Sequence, residues 1–370
     1  MKAKQAELSE DFAYQDHILQ DVSRTFALTI PQLPENLCQV VGNAYLLCRI
    51  ADTIEDDPHI PFTMKQVLYQ DFIDVIGHKK ETEVFSEKMY PLLSDKTTSA
   101  EKDLIQNAPK VIRITHSFSK NQQTILEKCL RIMSYGMERF VEQDTSAGLK
   151  DMSDLDRYCY HVAGVVGEML TELFCDYSPR IARNRETLLN LAVSFGQGLQ
   201  MTNILKDIWD DKNRGYCWLP VEVFQSRDFQ LKDLSPMYHS EVFKAGLTKL
   251  ISAAHGHLWN ALKFTLLIPP WEQGIRRFCL YALGMAVLTL NKTLTHLNFS
   301  ESRQVKITRK TVKATILVSN MAVSNDTLLK ILFRIIARNL PFKPINPALH
   351  SQQCSHWHKE AFVHHETVLS

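Results

Sequence analysis

Residues 44–58 read AYLLCRIADTIEDDP, a segment that is apolar at three- and four-residue spacing and then finishes in acids. Leu37, Val40, Val41, Ala44, Leu47 and Ile54 form one stripe, which predicts a helix from about Pro34 to Asp57 stopped by Pro58. A second stretch, NILKDIWDD at 203–211, ends a long helical segment over 185–211 in the same way, with Asn213 and Gly215 as stop signals. Asp52 and Asp56 are four apart, as are Asp207 and Asp211, so each pair stacks on one helix face where like charges repel. A helix C-terminus already carries partial negative charge and prefers Lys, Arg or His. Both helix ends are thus more negative than folding alone asks.

Elsewhere the pattern is uniformly helical. Long helices are expected over 120–143 and 153–176, and further ones over 64–77, 82–94, 99–119, 239–265, 271–297, 308–319 and 324–338. With 13 glycines, 14 prolines and no alternating strand pattern, the chain reads as an all-α helical bundle. The domain is expected to occupy 1–340, followed by a loosely ordered tail over 341–370 that contains PFKPINP, His350, His356, His358, His364 and His365. A net charge of +1, from 42 basic and 41 acidic residues, leaves no footprint for nucleic acid, so an anionic ligand must be held locally. The eight cysteines lack CxxC pairing and sit mostly in apolar stretches, as in a reducing, cytoplasmic compartment. The apolar run FCLYALGMAVLTL at 278–290 is shorter than the ~20 residues that span a bilayer and reads as a core helix. No signal peptide or C-terminal spanning helix is expected.

Charged helix ends are often simply solvated. Two such pairs on apolar helices fit a second reading, because Mg²⁺ takes carboxylate oxygens, keeps several waters and shares its remaining positions with substrate phosphates. Neither stretch has an EF-hand loop. The chemistry that follows is ionisation of a diphosphate, which needs a water-free chamber for the cation. Val162, Ala163, Gly164, Val165, Val166 and Gly167 would supply a wall of small side chains, or equally a tight helix contact, and Tyr158 and Tyr160 offer ring faces to a cation.

SRTF (23–26), AYLLCRIADTIEDD (44–57), YCYHVAGVVGEMLTELF (158–174) and QMTNILKDIWDDKNRGYCWLP (200–220) together resemble the squalene and phytoene synthases, over about residues 16–340. The resemblance implies a single-domain isoprenoid-synthase bundle whose two aspartate motifs face a central cavity. It implies Mg²⁺ on Asp52, Asp56, Asn203, Asp207 and Asp211, with Glu55 and Asp210 nearby. Ser23, Arg24, Arg49, Lys206 and Arg214 would hold diphosphate, Tyr45 and Gln200 would line the cavity, and Tyr158, Tyr160 and Arg49 would serve catalysis. Two positions depart from the family pattern: Lys206 replaces the usual Arg, and His161 stands where squalene synthases tend to have tyrosine, with Tyr160 one place earlier.

Basic VKITRK at 305–310 resembles a segment that squalene synthases link to NADPH, so Lys306, Arg309 and Lys310 would pair with its phosphates, or form a solvated loop. The expectation is a squalene synthase joining two farnesyl diphosphates through presqualene diphosphate, cytoplasmic with peripheral membrane contact for product release. Dehydrosqualene or phytoene synthesis, a non-catalytic scaffold and an isoprenoid-binding module are the alternatives.

Overall fold

Small residues decide where helices can touch, and in this chain they sit on the longest helix and on a segment packed against it. The computed structural model describes residues 2–23, 25–225, 229–235 and 240–368, with the side chains of 2–4 and 363–368 excepted. The protein is 79% helical, and the described residues form no strand. Contacts fall into two compact units: 1–142 with 172–179 and 361–370, and 143–171 with 180–360.

The first unit contains α1 (Lys2–Val22), α2 (Glu35–Asp56), α3 (Phe62–Ile76), α4 (Ser99–Gln106), α5 (Ala108–Ser117) and α6 (Lys120–Glu142). Helix α2 packs on α1, α3, α5 and α6 and buries Leu37, Val40, Val41, Ala44, Leu47 and Ile54, the stripe its sequence sets out, together with Leu46 and Ile50. Pro61 precedes α3, and the expected helix over 99–119 breaks at Asn107 with Pro109 restarting it. Helix α1 was not anticipated: its polar, mixed-charge sequence offers only a narrow apolar stripe, of which Ile18 and Leu19 are buried.

The second unit contains α7 (Met152–Cys159), a π-helical turn (Tyr160–Gly164), the start of α8 (Val165–Tyr177), α9 (Arg185–Asn213), α10 (Glu241–Leu267), α11 (Gln273–Thr295), α12 (Arg309–Ala322), α13 (Asp326–Ala337) and most of α14 (Pro347–Val368). Helix α9 is central, packing on the π turn, α10 and α11. A Cβ on Gly196 would lie 2.1 Å from the Ala163 carbonyl oxygen, and one on Gly167 would lie 2.3 Å from that of Ala192. Gly167 of VAGVVG therefore serves backbone-to-backbone approach of two helices, the structural alternative weighed above, while a Cβ on Gly164 would meet the Tyr160 ring at 2.9 Å.

By length and composition α11 alone among the described residues could cross a membrane, yet 61% of its apolar window is buried, as expected of a core helix. At its start Arg276, wholly buried, donates to the carbonyls of Ile268 (2.8 Å), Leu266 (3.3 Å) and Val323 (3.0 Å) and pairs with Asp326 (2.7 Å). The expected loose tail is instead largely α14, which buries His350, Cys354, Trp357 and Ala361. That stripe recurs at four, three and four residues. A buried histidine at its head hides it from a reading by hydrophobicity. His364 and His365 have no described side chains.

Gly196→Ala should lower stability by about 3 kcal/mol or more, because the clash is with backbone that cannot swing aside. Gly42→Ala, whose new methyl meets the hydrogen-bonded Gln15 amide at 3.2 Å and Ile30 at 3.9 Å rather than backbone, should change stability by no more than about 1 kcal/mol. Chemical denaturation of the two variants checks the contrast.

Candidate active site

Each aspartate motif is built inside one unit, and each has its own set of cations. In the first, the Thr98 capping box starts α4: the Thr98 hydroxyl accepts from the Glu101 N–H and Glu101 reaches back to the Thr98 N–H at 2.9 Å. Glu101 simultaneously pairs with Arg49, which lies 3.7 Å from Asp52 one turn along α2. The cap of one helix thus aims the guanidinium of another at the first motif. Tyr45, a turn before Arg49, donates to the Val22 carbonyl at 3.1 Å, and Ser23 is buried beside it, capping the next turn by accepting from the Phe26 N–H at 3.0 Å. Arg24 lies outside the described residues.

Burial pushes the Asp52 carboxyl from 3.8 up to about 7; Arg49 pulls the other way, and Asp56 and Glu101 add to the rise. Asp52 is thus the acid of the first motif whose charge burial disfavours, with Arg49 as partial compensation. Asp57, the last acid of the motif, has a different job. It accepts from the Ser94 N–H (2.8 Å), the Thr97 hydroxyl (2.6 Å) and the His59 N–H (2.9 Å), and although burial opposes it, these bonds hold its carboxyl below the usual range.

In the second unit the last turns of α9 present Asn203, Asp207 and Asp211 at four-residue spacing. Lys206 Nζ reaches Asn203 Oδ1 (3.1 Å) and Asp207 Oδ2 (3.0 Å), and Arg214 pairs with Asp211 at 2.6 Å. Gly215 at φ +90° then turns the chain out of the helix. Lys306 lies 3.8 Å from Asp207 and 3.6 Å from Asp210, so this one basic residue of the VKITRK segment is placed with the second motif. Arg309 and Lys310 stand apart, exposed in the first turn of α12 behind its Thr308 cap. Gln200 is half-buried on α9.

The residues fit a hard divalent cation. Asp207 Oδ1 is buried and accepts no hydrogen bond, and Asp52 is destabilised as an anion; both conditions are relieved by an oxygen-seeking ion. The two tyrosines separate in kind. Tyr160 is fully buried, with its hydroxyl 3.2 Å from Glu168 and 3.4 Å from His358. Tyr158 stacks on Trp218 at 3.8 Å, and Trp218 on Tyr216 at 5.5 Å, an aromatic layer directly after the second motif. Trp218 and Tyr216 escaped the sequence reading. Their alternation in RGYCWLP was the available signal.

The fold matches solved proteins along nearly its whole length. The structure of TcSQS in complex with the ligand BPH1237 aligns with a TM-score of 0.72 over 97% of this chain and 99% of that one at 23% identity, and a dehydrosqualene synthase in complex with ligand gives 0.60 over 85% and 96% at 21%. That likeness places the chain in the class of all-α isoprenoid-synthase folds. The family model for squalene/phytoene synthase matches residues 19–311, and the chain belongs to that family. Squalene synthase BSS of Botryococcus braunii is 30% identical over 300 residues, 78% of this chain and 60% of its own, and a squalene synthase of Candida albicans is 30% identical over 278, 74% and 60%. The chain spans about three fifths of the length of these relatives.

Asp52 yields a pH signature. Its folded value lies above its ordinary one, so without divalent cations the stability it contributes is complete below about pH 4 and is lost as pH rises through 7. Asp52→Asn should therefore raise the unfolding midpoint in EDTA more at pH 8 than at pH 5. Equal gains at both pH values would refute the assignment.

Proposed function

We propose that this protein is a prenyltransferase that condenses two farnesyl diphosphates head to head and, with NADPH, reduces the product to squalene. The observation that carries this reading is the pair of intact aspartate motifs in a member of the squalene/phytoene synthase family, each with cations beside it, Asp52 disfavoured as an anion by burial and Asp207 keeping one oxygen without a hydrogen bond. A scaffold that had abandoned turnover would have no use for such strained acids.

Asp52, Asp56, Asn203, Asp207 and Asp211 would hold Mg²⁺, which supplies charge neutralisation for the departing diphosphate. Arg49, Lys206, Arg214 and Lys306 take the remaining phosphate oxygens, with Ser23 and Arg24 assigned by the family pattern. Glu101 keeps Arg49 aimed while its charge is shared. Tyr45 and Gln200 border the prenyl chains. Tyr160, anchored through Glu168 and His358, and Tyr158, backed by Trp218, present aromatic rings to the cationic stages. Arg309 and Lys310, exposed on the first turn of a helix, would hold the phosphates of NADPH, which would supply the hydride that separates squalene from dehydrosqualene.

Product release calls for a lipid surface. Helices α12 and α13 expose Leu317, Met321, Ile331 and Ile335 and carry exposed Lys313, Lys330, Arg334 and Arg338, a composition that suits the anionic face of a membrane. Eight free thiols suit a reducing cytoplasm behind that face.

Incubation with farnesyl diphosphate and Mg²⁺, with and without NADPH, should give squalene only when NADPH is present. Dehydrosqualene in both tubes would move the reaction to the non-reductive branch. Asp207→Ala should cut turnover by roughly 10³-fold or more, with unchanged helical circular dichroism, and near-normal rates would remove the metal assignment. The protein should sediment with phosphatidylglycerol vesicles, and Met321→Asp combined with Ile335→Asp should release it.

A further inference from the structure

Away from both motifs, three helices of the second unit bring together Asp156 of α7, His257 of α10 and His350 of α14. A carboxylate oxygen and one nitrogen from each imidazole lie within 4.8 Å of one another. Both histidines are buried, with ring centroids 5.0 Å apart in an edge-to-face arrangement, and Asp156 is half-buried, which leaves an approach.

The surrounding hydrogen bonds occupy one nitrogen of each ring. Gln197 Nε2 donates to the Asp156 carbonyl at 2.9 Å, so its Oε1 is the atom that meets His350 Nε2. A carbonyl oxygen only accepts; Nε2 therefore holds the proton and Nδ1 of His350 has the lone pair. His257 Nδ1 is bonded to Ser194 Oγ at 2.9 Å, and Ser194 is held in turn by Asn260 Nδ2 at 3.1 Å, which leaves Nε2 of His257. Among the described residues no hydrogen bond reaches the second nitrogen of either ring or the Asp156 carboxylate, and none joins the three side chains to each other. A proton relay would need direct contact among the three side chains.

We propose that Asp156, His257 and His350 form a mononuclear site for a divalent transition metal, separate from the aspartate motifs. Two imidazoles and one carboxylate are donors for Zn²⁺, Mn²⁺ or Fe²⁺, whereas Mg²⁺ prefers an all-oxygen shell. Ligand atoms around such an ion at about 2.0–2.2 Å stand roughly 3–3.5 Å apart, so the observed spacing closes with small side-chain rotations. Gln197 and Ser194 are the outer partners that orient ligating imidazoles in metalloproteins. The protonation states agree. Burial lowers His350 to about 4, and burial with the neighbouring His350 and Lys343 lowers His257 well below its ordinary value, so both rings are neutral; burial raises Asp156 to about 7 although Lys343 pulls the other way, a remaining penalty that a bound cation removes. The ion would tie α14 to the helices beneath it.

Full-length protein is stripped with EDTA, loaded with Zn²⁺ or Co²⁺ in the presence of excess Mg²⁺, desalted and assayed by elemental analysis. One equivalent should be retained, with a Co²⁺ d–d absorption band. Asp156→Asn and His350→Ala should each lose that equivalent and the band, while His356→Ala, which removes an exposed histidine of the same helix, should keep both. Should His350→Ala fail to fold, Asp156→Asn, which preserves shape, decides alone. Retention of no metal by the wild type, or equal retention by Asp156→Asn, would overturn the proposal.

Discussion

Backbone contact between helices is the constraint on which the second unit depends. Gly196 and Gly167 admit carbonyl oxygens where any side chain would collide, so the π turn and the start of α8 lie directly on α9. The same close approach fixes Gln197, one residue from Gly196, against the Asp156 carbonyl, and it sets the line of α9 along which Asn203, Asp207 and Asp211 follow. Shape comes first here, and the acids inherit their position from it.

The aspartate motifs show how electrostatic cost is tolerated rather than removed. Arg49 and Arg214 each stand one turn from a motif acid, close enough to moderate repulsion, yet Asp52 remains strained and Asp207 keeps an oxygen without a hydrogen bond. Full pairing would have stabilised the fold and left nothing for a ligand to gain. Asp57 illustrates the opposite outcome, an acid of the same run spent wholly on holding a loop.

Much of this was legible before any coordinates. The stripe from Leu37 to Ile54 placed α2 to within a residue or two, and the four-residue spacing of the acids located both motifs, because helical periodicity is a local property. What escaped was non-local. The capping role of Glu101 and its grip on Arg49 join positions 52 residues apart, and Lys306 reaches Asp207 from a segment that reads as an ordinary basic loop. Helix α14 was missed because its buried stripe begins with histidine, a residue that hydrophobicity scales place outside. The glycines of VAGVVG were ambiguous for a related reason: a run of small residues announces close approach without saying whether a helix or a ligand comes near.

Arg276 gathers the end of α10, the loop before α11 and the start of α13 onto one buried guanidinium. That anchor lies inside, while Leu317, Met321, Ile331 and Ile335 stand on the surface of α12 and α13. A lineage could exchange these exposed leucines and isoleucines one by one without the interior registering the change. The fold thereby separates what must be inherited from what can be tailored.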